Sequence, residues 1–326
     1  MLSYAVALIG ILIVFNSPLN NLLFSNVNPH QCPGQIPQLH RIPLSTLNLR
    51  EDLIALEGNS SLQCMPHTPA PVVHVYSREP LVLYIENFLS LDEREHLLGI
   101  SEPLFEPSTT TSDGGQTTHR NTTVRDSEVA VIPRTDRVRC IENRAREIQG
   151  WRENVFIERL RTQRYRQGGH YNHHFDWSSN RGGWGRVSSF MVWVDDGDGS
   201  LVGGGTEFPR MKRSKDSRWC AFIECPGKTA NKGDGLEQTP ELGVTFKVIP
   251  GNAVYWENFR SDGTGRGWVE AWHAGLPVEK GVKVGLNIWS TGYIEQHERD
   301  SPITHERDPR RQPRLYPKVI DAGRIT

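Results

Sequence analysis

The second half of the chain is dominated by short apolar or alternating runs separated by Gly, Asp and Asn. These runs cover residues 155–165, 187–194, 244–249, 252–256 and 282–289. Strand-length runs that turn residues break at this spacing are typical of an all-β sandwich or barrel. The pattern therefore predicts a mainly β core for this part of the chain, with flanking helices supplied by the residues before it.

Helical signals precede that core. Ser90 and Glu93 stand three positions apart in the order of a capping box, which predicts a helix soon after the apolar strand-like run 81–85. A second helix is predicted over 136–149, where apolar residues recur at helical spacing and Gly150 is placed to end it. We expect these N-terminal helices to pack on the β core, which makes the fold class α+β.

The 326 residues are enough for one sizeable domain with extensions, because single cores stop growing at roughly 250–300 residues. We predict 1–25 to be a signal peptide or short membrane anchor, 26–77 a loosely ordered stalk, 78–154 the strand and helix part of the main domain, 155–295 its β core with an insertion at 209–243, and 296–326 a charged tail. The polar stretch 107–123 predicts a mobile loop. It could cover a functional site or be an ordinary surface loop, and the sequence favours neither.

An unbroken apolar run at residues 4–15 stands near the start of the sequence. It is shorter than the roughly 18 residues of a clear membrane span and fits the about 7–15 residues of a signal-peptide core. No Lys or Arg precedes Arg41 and no clear small-x-small cleavage site follows, so a short uncleaved anchor and a buried helix stay open as alternatives. We expect the chain to enter the secretory pathway and to act in the lumen or at the membrane of the endoplasmic reticulum.

Five cysteines are compatible with that expectation. Cys32 and Cys64 flank the N-terminal segment, Cys220 and Cys225 are close neighbours, and Cys140 is left over. Two pairs and one free thiol would suit an oxidising lumen, and five reduced thiols are the alternative. The formal net charge of −1 gives no sign of a nucleic-acid-binding surface, so no nucleic-acid partner is expected.

His174 and Asp176 carry the first chemical signal. Residues i and i+2 of a strand point to the same face, so an imidazole and a carboxylate would converge there. A third ligand from a distant strand would complete a 2-His-1-carboxylate triad, which is diagnostic of non-haem iron oxygenases. His273, which follows a Gly-rich turn, is the predicted third ligand. His173 points to the opposite face and is predicted to be structural.

The last β run supplies an independent signal. Its alternation puts Lys283, Gly285, Asn287 and Trp289 on one face. A lone Lys on a strand with an otherwise buried pattern is costly unless an anion pairs with it. A dicarboxylate co-substrate would supply that anion, and the alternative is that this face of the strand is exposed to solvent.

The spacing of these residues resembles the prolyl 4-hydroxylase group of 2-oxoglutarate oxygenases, over about residues 81–290. The family pattern has a Tyr nine residues before a His-x-Asp, then a distal His, then a Lys ten residues later. This sequence keeps all of these spacings, with Tyr165, His174, Asp176, His273 and Lys283. The segments 204–209 and 250–256 also look like family landmarks. The resemblance implies a double-stranded β-helix, or jelly-roll, core.

The resemblance implies a role for each matched residue. Iron would be held by His174, Asp176 and His273, which with Lys283 form the predicted catalytic set. The distal carboxylate of 2-oxoglutarate would be bound by Lys283 and Tyr165, with help from Thr206. A peptide substrate would contact Tyr171, Arg186, Glu158 and Trp289.

The resemblance also implies a reaction. An Fe(II)- and 2-oxoglutarate-dependent dioxygenase would hydroxylate an unactivated C–H with O2, release succinate and CO2, and use ascorbate to restore oxidised iron. Peptidyl-proline 4-hydroxylation is the main expectation, with a peptide or protein substrate as partner and proline-rich sequences among the candidates. The alternatives are another side chain, a small metabolite, or a non-catalytic metal-binding jelly-roll module.

The sequence departs from the family pattern in three respects. The insertion 209–243 is longer than in compact members, and residues 120–123 match the family's Arg-Thr-Ser segment only loosely. No helical peptide-binding domain like that of collagen-modifying enzymes is recognisable, which argues against a collagen substrate. None of these departures touches the predicted iron ligands.

Overall fold

Antiparallel β-strands make up most of the described chain. The computed structural model describes residues 53–55, 62–112, 117–150, 152, 155–177, 183–225, 242–262 and 264–294. All of them fall in one compact unit, Leu49–Thr326, whereas the other unit, Met1–Asn48, lies outside the described residues. The predicted signal or anchor at 1–25 and the charged tail at 296–326 therefore also lie outside them. No helix in the described ranges is long and apolar enough to cross a membrane.

The described residues form two α-helices and eighteen β-strands. They are β1 (Val72–Arg78), β2 (Leu81–Glu86), β3 (Glu106–Pro107), β4 (Thr110–Ser112), β5 (Thr117–His119), β6 (Arg125–Asp126), β7 (Glu128–Val131), β8 (Val155–Ile157), β9 (Arg161–Tyr165), β10 (His170–His174), β11 (Trp184–Asp195), β12 (Val202–Gly203), β13 (Thr206–Lys212), β14 (Leu242–Phe246), β15 (Ala253–Glu257), β16 (His273–Gly275), β17 (Val278–Lys280) and β18 (Lys283–Tyr293). The α-helices are α1 (Leu91–Ser101) and α2 (Asp136–Ile148), and short 3-10 helices lie at Glu102–Leu104, Ser217–Ala221 and Val269–Ala271.

Two antiparallel sheets carry the architecture. The larger sheet has the order β1-β2-β15-β11-β18-β9-β7-β3, with β8 paired to β18 beside this path. The smaller sheet has the order β14-β13-β16-β10-β6, and β12–β17 and β4–β5 form two further pairs. The mainly β class is therefore confirmed, and two opposed antiparallel sheets are consistent with the jelly roll that the resemblance implied.

Both faces of the larger sheet are buried. Because alternate residues of a strand point to opposite faces, β11 sends Met191 and Trp193 toward the smaller sheet and Phe190 and Val192 the other way. The cluster between the sheets includes Val82, Tyr84, Trp193, Phe208, Phe246 and Trp256. The cluster on the opposite face includes Leu97, Val138, Ile141, Phe190, Val192 and Leu286, so α1 and α2 contribute to it. Burial on both faces explains why β11 has a nearly continuous apolar sequence.

Both helices begin where the sequence predicts, and the second also ends within one residue of its predicted end. The Ser90 side chain accepts a hydrogen bond from the Glu93 backbone N–H, and the Glu93 carboxylate accepts one from the Ser90 backbone N–H, which confirms the capping box before α1. Thr135 caps α2 by accepting from the Val138 N–H. Gly150 adopts a φ of 75°, a left-handed conformation that favours glycine and ends this helix.

The stalk predicted at 26–77 is wrong for residues 54–55 and 72–77, whereas residues 62–71 form no helix or strand. Residues 72–77 belong to β1, which pairs with β2 along the edge of the larger sheet. Ile54 and Ala55 are buried, and the Ala55 N–H donates to the Ile157 carbonyl at 2.7 Å. These pieces are ordered by hydrogen bonds to other parts of the chain, which local composition does not reveal.

The predicted mobile loop at 107–123 also contains regular structure. β4 and β5 pair as a hairpin in which Thr110 lies opposite His119. The turn between them, residues 113–116, lies outside the described residues. A run of Thr and Ser without apolar residues in alternation gave no sequence signal for this pairing.

The predicted insertion at 209–243 begins later than expected. β13 continues to Lys212, and that residue pairs with Leu242 at the start of β14. After Lys212 the chain folds back, so that Trp219 and Phe222 pack on the cluster between the sheets. This part of the insertion therefore extends the core rather than leaving it.

Two disulfides join four of the five cysteines. Cys220 pairs with Cys225, as their closeness in sequence indicated. Cys64 pairs with Cys140 of α2, so the interpretation that grouped Cys64 with Cys32 and left Cys140 over is wrong. Cys64 and Cys140, 76 positions apart in sequence, are brought together by tertiary packing, which cysteine spacing cannot show. Cys32 lies outside the described residues.

Candidate active site

The smaller sheet brings the predicted iron ligands together. β10 and β16 pair so that His174 lies opposite His273. Asp176 reaches the same point from a bend after the end of β10, so the predicted convergence is confirmed although the strand itself stops at His174. His173 takes no part in this cluster, and its Nε2 lies 2.7 Å from the Glu207 carboxylate instead.

The three ligands surround a space of the right size for one metal ion. One nitrogen or oxygen atom from each of His174, Asp176 and His273 lies within 4.8 Å of the others. Nε2 of His174 is 3.6 Å from Oδ1 of Asp176, and Nε2 of His273 is 3.9 Å from Oδ2. Nδ1 of His174 lies 2.8 Å from the Asn172 carbonyl oxygen, and Nδ1 of His273 lies 2.9 Å from that of Ala271. Because a carbonyl oxygen only accepts, Nδ1 carries the proton and Nε2 is left to bind a metal.

Burial and charge place these groups in the protonation states that a metal needs. Burial alone would raise the pKa of Asp176, but the charges of His273, His174 and Arg186 outweigh it and hold that pKa well below its usual range. Burial and the neighbouring His174 lower the pKa of His273 to about 4, against the opposite effect of Asp176. Near neutral pH the carboxylate is therefore ionised and the His273 imidazole neutral, as metal ligation requires.

A buried lysine lies in the same cavity. Lys283 is 1% exposed, and its Nζ donates to the Gly204 carbonyl oxygen at 2.5 Å and lies 4.6 Å from the centre of the Tyr165 ring. Burial lowers the pKa of Lys283 to about 7, and no charged group of the described residues offsets it. The alternative that this face of β18 is exposed to solvent is wrong, and the buried ammonium calls for an anion from outside the chain.

The cavity lining joins the two halves of the site. It includes His174, Asp176 and His273 together with Tyr165, Tyr171, Thr206 and Lys283. Oγ1 of Thr206 is buried without a hydrogen-bond partner among the described residues, and the Tyr165 hydroxyl donates to Oε1 of Gln163 at 2.8 Å. A buried hydroxyl without a partner, close to a buried ammonium, is a site that a carboxylate would satisfy. The donor set therefore fits a divalent metal and a dicarboxylate.

Three of the four predicted peptide contacts form a network that reaches Asp176, one of the predicted iron ligands. Nε1 of Trp289 donates to Oδ2 of Asp176 at 3.0 Å. The Arg186 guanidinium lies 3.8 Å from the centre of the Trp289 ring. Arg186 also donates twice to the Glu158 carboxylate, at 2.7 and 2.9 Å. Their contact with a peptide stays a prediction, whereas their connection to Asp176 is direct.

Tyr171, the fourth predicted contact, links an iron ligand to a residue that the sequence interpretation missed. Its ring stacks on His174 with 3.7 Å between centroids. The Arg125 guanidinium lies 4.7 Å from the centre of the Tyr171 ring, and the two residues are register partners in β6 and β10. The sequence interpretation looked to residues 120–123 for the family's Arg-containing segment. Arg125-Asp126-Ser127, five residues later, keeps the Arg and the Ser of that segment and was the signal that could have found Arg125.

Arg161, whose guanidinium carbon lies 5.6 Å from the centre of the Trp289 ring, was also missed, although the sequence contains a signal for it. Alternate residues of β9 point to one face, so Arg161 shares the face of Gln163 and Tyr165, and both of these line the cavity. Counting back by twos from the matched Tyr165 would have found it.

Comparisons with known proteins agree with this site. The family model described as the 2OG-Fe(II) oxygenase superfamily matches residues 160–291. Prolyl 4-hydroxylase 5 of Arabidopsis thaliana is 28% identical over 232 residues, which cover 67% of this chain and 70% of that protein.

Solved structures give two further similarities. The viral collagen prolyl hydroxylase from Paramecium Bursaria Chlorella virus-1, in its 2OG complex, is 21% identical with a TM-score of 0.45, over 65% of this chain and 96% of that chain. A Pseudomonas putida prolyl-4-hydroxylase is 14% identical with a TM-score of 0.40, over 64% and 91%.

The matched family and the geometry point to the same chemistry. The span 160–291 contains the three metal-binding side chains and Lys283, and the cavity they share fits Fe(II) and 2-oxoglutarate as cofactor and co-substrate. Residues 160–291 thus match the 2OG-Fe(II) oxygenase superfamily, and this part of the chain has the site of a prolyl 4-hydroxylase-like enzyme.

Proposed function

We propose that this enzyme hydroxylates C4 of a proline in a peptide or protein substrate, with release of succinate and CO2. The observation that carries the proposal is that His174, Asp176, His273 and Lys283 all line one cavity. The name of the Arabidopsis relative, a prolyl 4-hydroxylase, supports proline as the target. The aromatic and charged network of Tyr171, Arg186 and Trp289 beside the ligands supports a substrate of peptide size.

Each group of the site has a defined task in this proposal. Nε2 of His174, Nε2 of His273 and the Asp176 carboxylate would hold Fe(II). Lys283 would bind the far carboxylate of 2-oxoglutarate by a charge-assisted hydrogen bond, with Thr206 as a second donor. When bound, the metal and co-substrate supply the oxidising chemistry that turns an unactivated C–H into C–OH with O2.

The surrounding residues hold the ligands in place and keep water out. The backbone carbonyls behind both imidazoles fix their orientation, and Trp289 does the same for Asp176. Phe208 and Trp256 pack against the His273 ring with centroids 5.5 and 4.8 Å away. This support matters, because a misplacement of about 1 Å can cost about a hundredfold in rate.

Succinate release tests the proposed reaction. Purified protein with Fe(II), 2-oxoglutarate and ascorbate is incubated with and without proline-rich peptides, and the peptides are then sequenced by mass spectrometry. We expect peptides to stimulate succinate release and to gain one oxygen on proline. The variant His174→Ala should be inactive, whereas the matched control His173→Ala, next in sequence but outside the metal cluster, should retain activity. Succinate release that no proline peptide stimulates would contradict the proline assignment.

We also propose that the enzyme works in the secretory pathway, in the lumen or at the membrane of the endoplasmic reticulum. The apolar run 4–15 and the two disulfides support this, because disulfides persist in oxidising compartments. Ascorbate is the proposed reductant for iron oxidised without substrate turnover. Protease protection of the tagged protein in sealed microsomes is the test, and digestion without detergent would contradict a lumenal location.

A further inference from the structure

Three arginines lie over aromatic rings of the site: Arg186 and Arg161 over Trp289, and Arg125 over Tyr171. One carboxylate, that of Glu158, accompanies them. The charges that act on Arg161 are those of Glu158, Arg186 and Arg125. Three guanidinium groups against one carboxylate leave an excess of about two positive charges. A protein does not usually hold such an excess in a partly buried place without a ligand to meet it.

Arg186 is already neutralised within this group. It donates from Nε and Nη2 to both oxygens of Glu158, and the Thr291 hydroxyl donates to the same carboxylate at 3.0 Å. Glu158 therefore already neutralises Arg186, and no hydrogen bond joins it to another arginine of the described residues. The excess charge is therefore that of Arg125 and Arg161.

Arg161 has an unsatisfied donor beside the Trp289 ring. Its Nε is buried and has no hydrogen-bond partner in the described part of the chain. Its guanidinium carbon lies 5.6 Å from the centre of the Trp289 ring, whose Nε1 bonds to the iron ligand Asp176. In register it lies opposite Asn287, which lines the cavity. Arg161 is thus one side chain away from the metal site.

Arg125 approaches from the smaller sheet. Its Nε donates to the Ser127 hydroxyl at 3.1 Å, and its guanidinium lies over the Tyr171 ring. Nη2 of Arg125 is buried and without a partner among the described residues. Neither neighbour carries a negative charge, so the positive charge of Arg125 is not met by either.

We propose that Arg161 and Arg125 bind a carboxylate of the substrate, so that this enzyme prefers a peptide with an acidic residue beside the target proline. The inference rests on the proposed function, because it assumes that a peptide occupies the Trp289 side of the cavity. A guanidinium fork and a carboxylate match in charge and in shape, and the pair gains strength where water is excluded. A neutral peptide would leave two buried N–H donors without acceptors.

The metal site does not need these arginines for charge balance. Fe(II) and the Lys283 ammonium carry three positive charges, and Asp176 with the two carboxylates of 2-oxoglutarate carries three negative charges. The excess around Arg161 and Arg125 therefore remains when the cofactor and the co-substrate are bound, and substrate is the group left to meet it.

Pairs of end-capped peptides test the inference on the full-length holoenzyme. Each pair has one proline, with Glu or Gln at one position from three residues before to three after it. A third arm uses the Gln peptides with a free C-terminal carboxylate, which separates a side-chain carboxylate from a chain end. The kcat/KM ratio of each Glu peptide to its Gln partner is the readout, together with the anisotropy of labelled peptides on the enzyme.

At one position or more, the acidic member should be preferred at least about tenfold, and the preference should shrink as salt is raised. Arg161→Gln should bring that ratio toward one, and Arg161→Lys should restore part of it because the charge is kept. Arg125→Gln is a second variant with the same expected loss. Arg166→Gln is the matched control, because Arg166 lies near the same strand with a side chain 63% exposed and should leave the ratio unchanged.

The outcomes separate the two proposals. Turnover of Glu and Gln peptides at equal rates, or an unchanged ratio in Arg161→Gln, overturns the inference and leaves proline hydroxylation standing. If no peptide is turned over, the proposed function fails and anisotropy decides the inference. Selective binding of acidic peptides that Arg161→Gln removes then supports it, and its absence overturns it.

Discussion

Replacing Lys283 by Met should separate two effects that a buried ammonium has on this enzyme. Met has a similar length and no charge, so the cavity keeps its packing while the cation is lost. We expect the variant to need far more 2-oxoglutarate and, without metal and co-substrate, to be more stable than the wild type. A residue that serves only packing would not produce these opposite effects.

The structure sets the size of the stability effect. Burial lowers the pKa of Lys283 from 10.5 to about 7. When Lys283 is protonated in both the folded and the unfolded chain, this difference destabilises the folded state by about 5 kcal/mol. Because the pKa in the folded chain is below that in the unfolded chain, the penalty is fully present below pH 7. It disappears as the pH rises from 7 toward 10.5. The variant also loses the hydrogen bond to Gly204, which costs about 1–3 kcal/mol of stability. The free energy of unfolding of Lys283→Met should therefore exceed that of the wild type by about 2–4 kcal/mol near pH 6.5.

The effect on the co-substrate has the opposite sign. Removing one partner of a buried charge pair costs about 2–5 kcal/mol, which corresponds to an apparent KM for 2-oxoglutarate at least about 30-fold higher. Urea unfolding of the metal-free protein at pH 6.5 and 9.5, and initial rates of succinate release, measure the two effects. Lys280→Met is the matched control, because Lys280 is exposed on β17. A Lys283→Met variant with a wild-type 2-oxoglutarate requirement would refute the reasoning.

Three other perturbations follow from the geometry. Trp289→Phe removes the N–H that holds Asp176, so binding of Mn(II), measured by calorimetry, should weaken about tenfold, and unchanged affinity would contradict a positioning role for the indole. The metal-free protein should lose stability as the pH falls from 6.5 toward 4, because the pKa of His273 is about 4 in the folded chain and the unfolded chain takes up the proton first. His273→Gln should flatten this loss in urea unfolding, and an unchanged pH dependence would place its source elsewhere. The double variant Cys64→Ser, Cys140→Ser should lose about 2–4 kcal/mol of unfolding free energy, because that disulfide closes a loop across a 76-residue separation, and a wild-type urea midpoint would contradict this.

The metal site was predictable because its signals are local and periodic. Alternation within one strand places Lys283 on the cavity face, and the two-residue step from His174 to Asp176 survives although the chain bends there. Choosing His273 as the third ligand required the spacing of a known family. The pairing of β10 with β16 that makes it possible is non-local, and no pattern in either segment shows it.

Some of the features that escaped prediction have the same non-local origin. Cys140 was left over because its disulfide partner lies 76 residues away, and the two-residue strand that holds Arg125 is defined only by its pairing with β10. β1 and Arg161 differ, because their signals are local. β2 follows β1 after only two residues, and the period of two in β9 already placed Arg161 on the face of Tyr165.

Metal titration of the metal-free protein tests the central claim most directly. The account predicts one Mn(II) or Fe(II) bound per chain under anaerobic conditions. Binding should be lost in His174→Ala, Asp176→Ala and His273→Ala and retained in His173→Ala, with the fold of each variant checked by circular dichroism. Equal metal affinity in the wild type and in His273→Ala would contradict it, because the third ligand would then lie elsewhere.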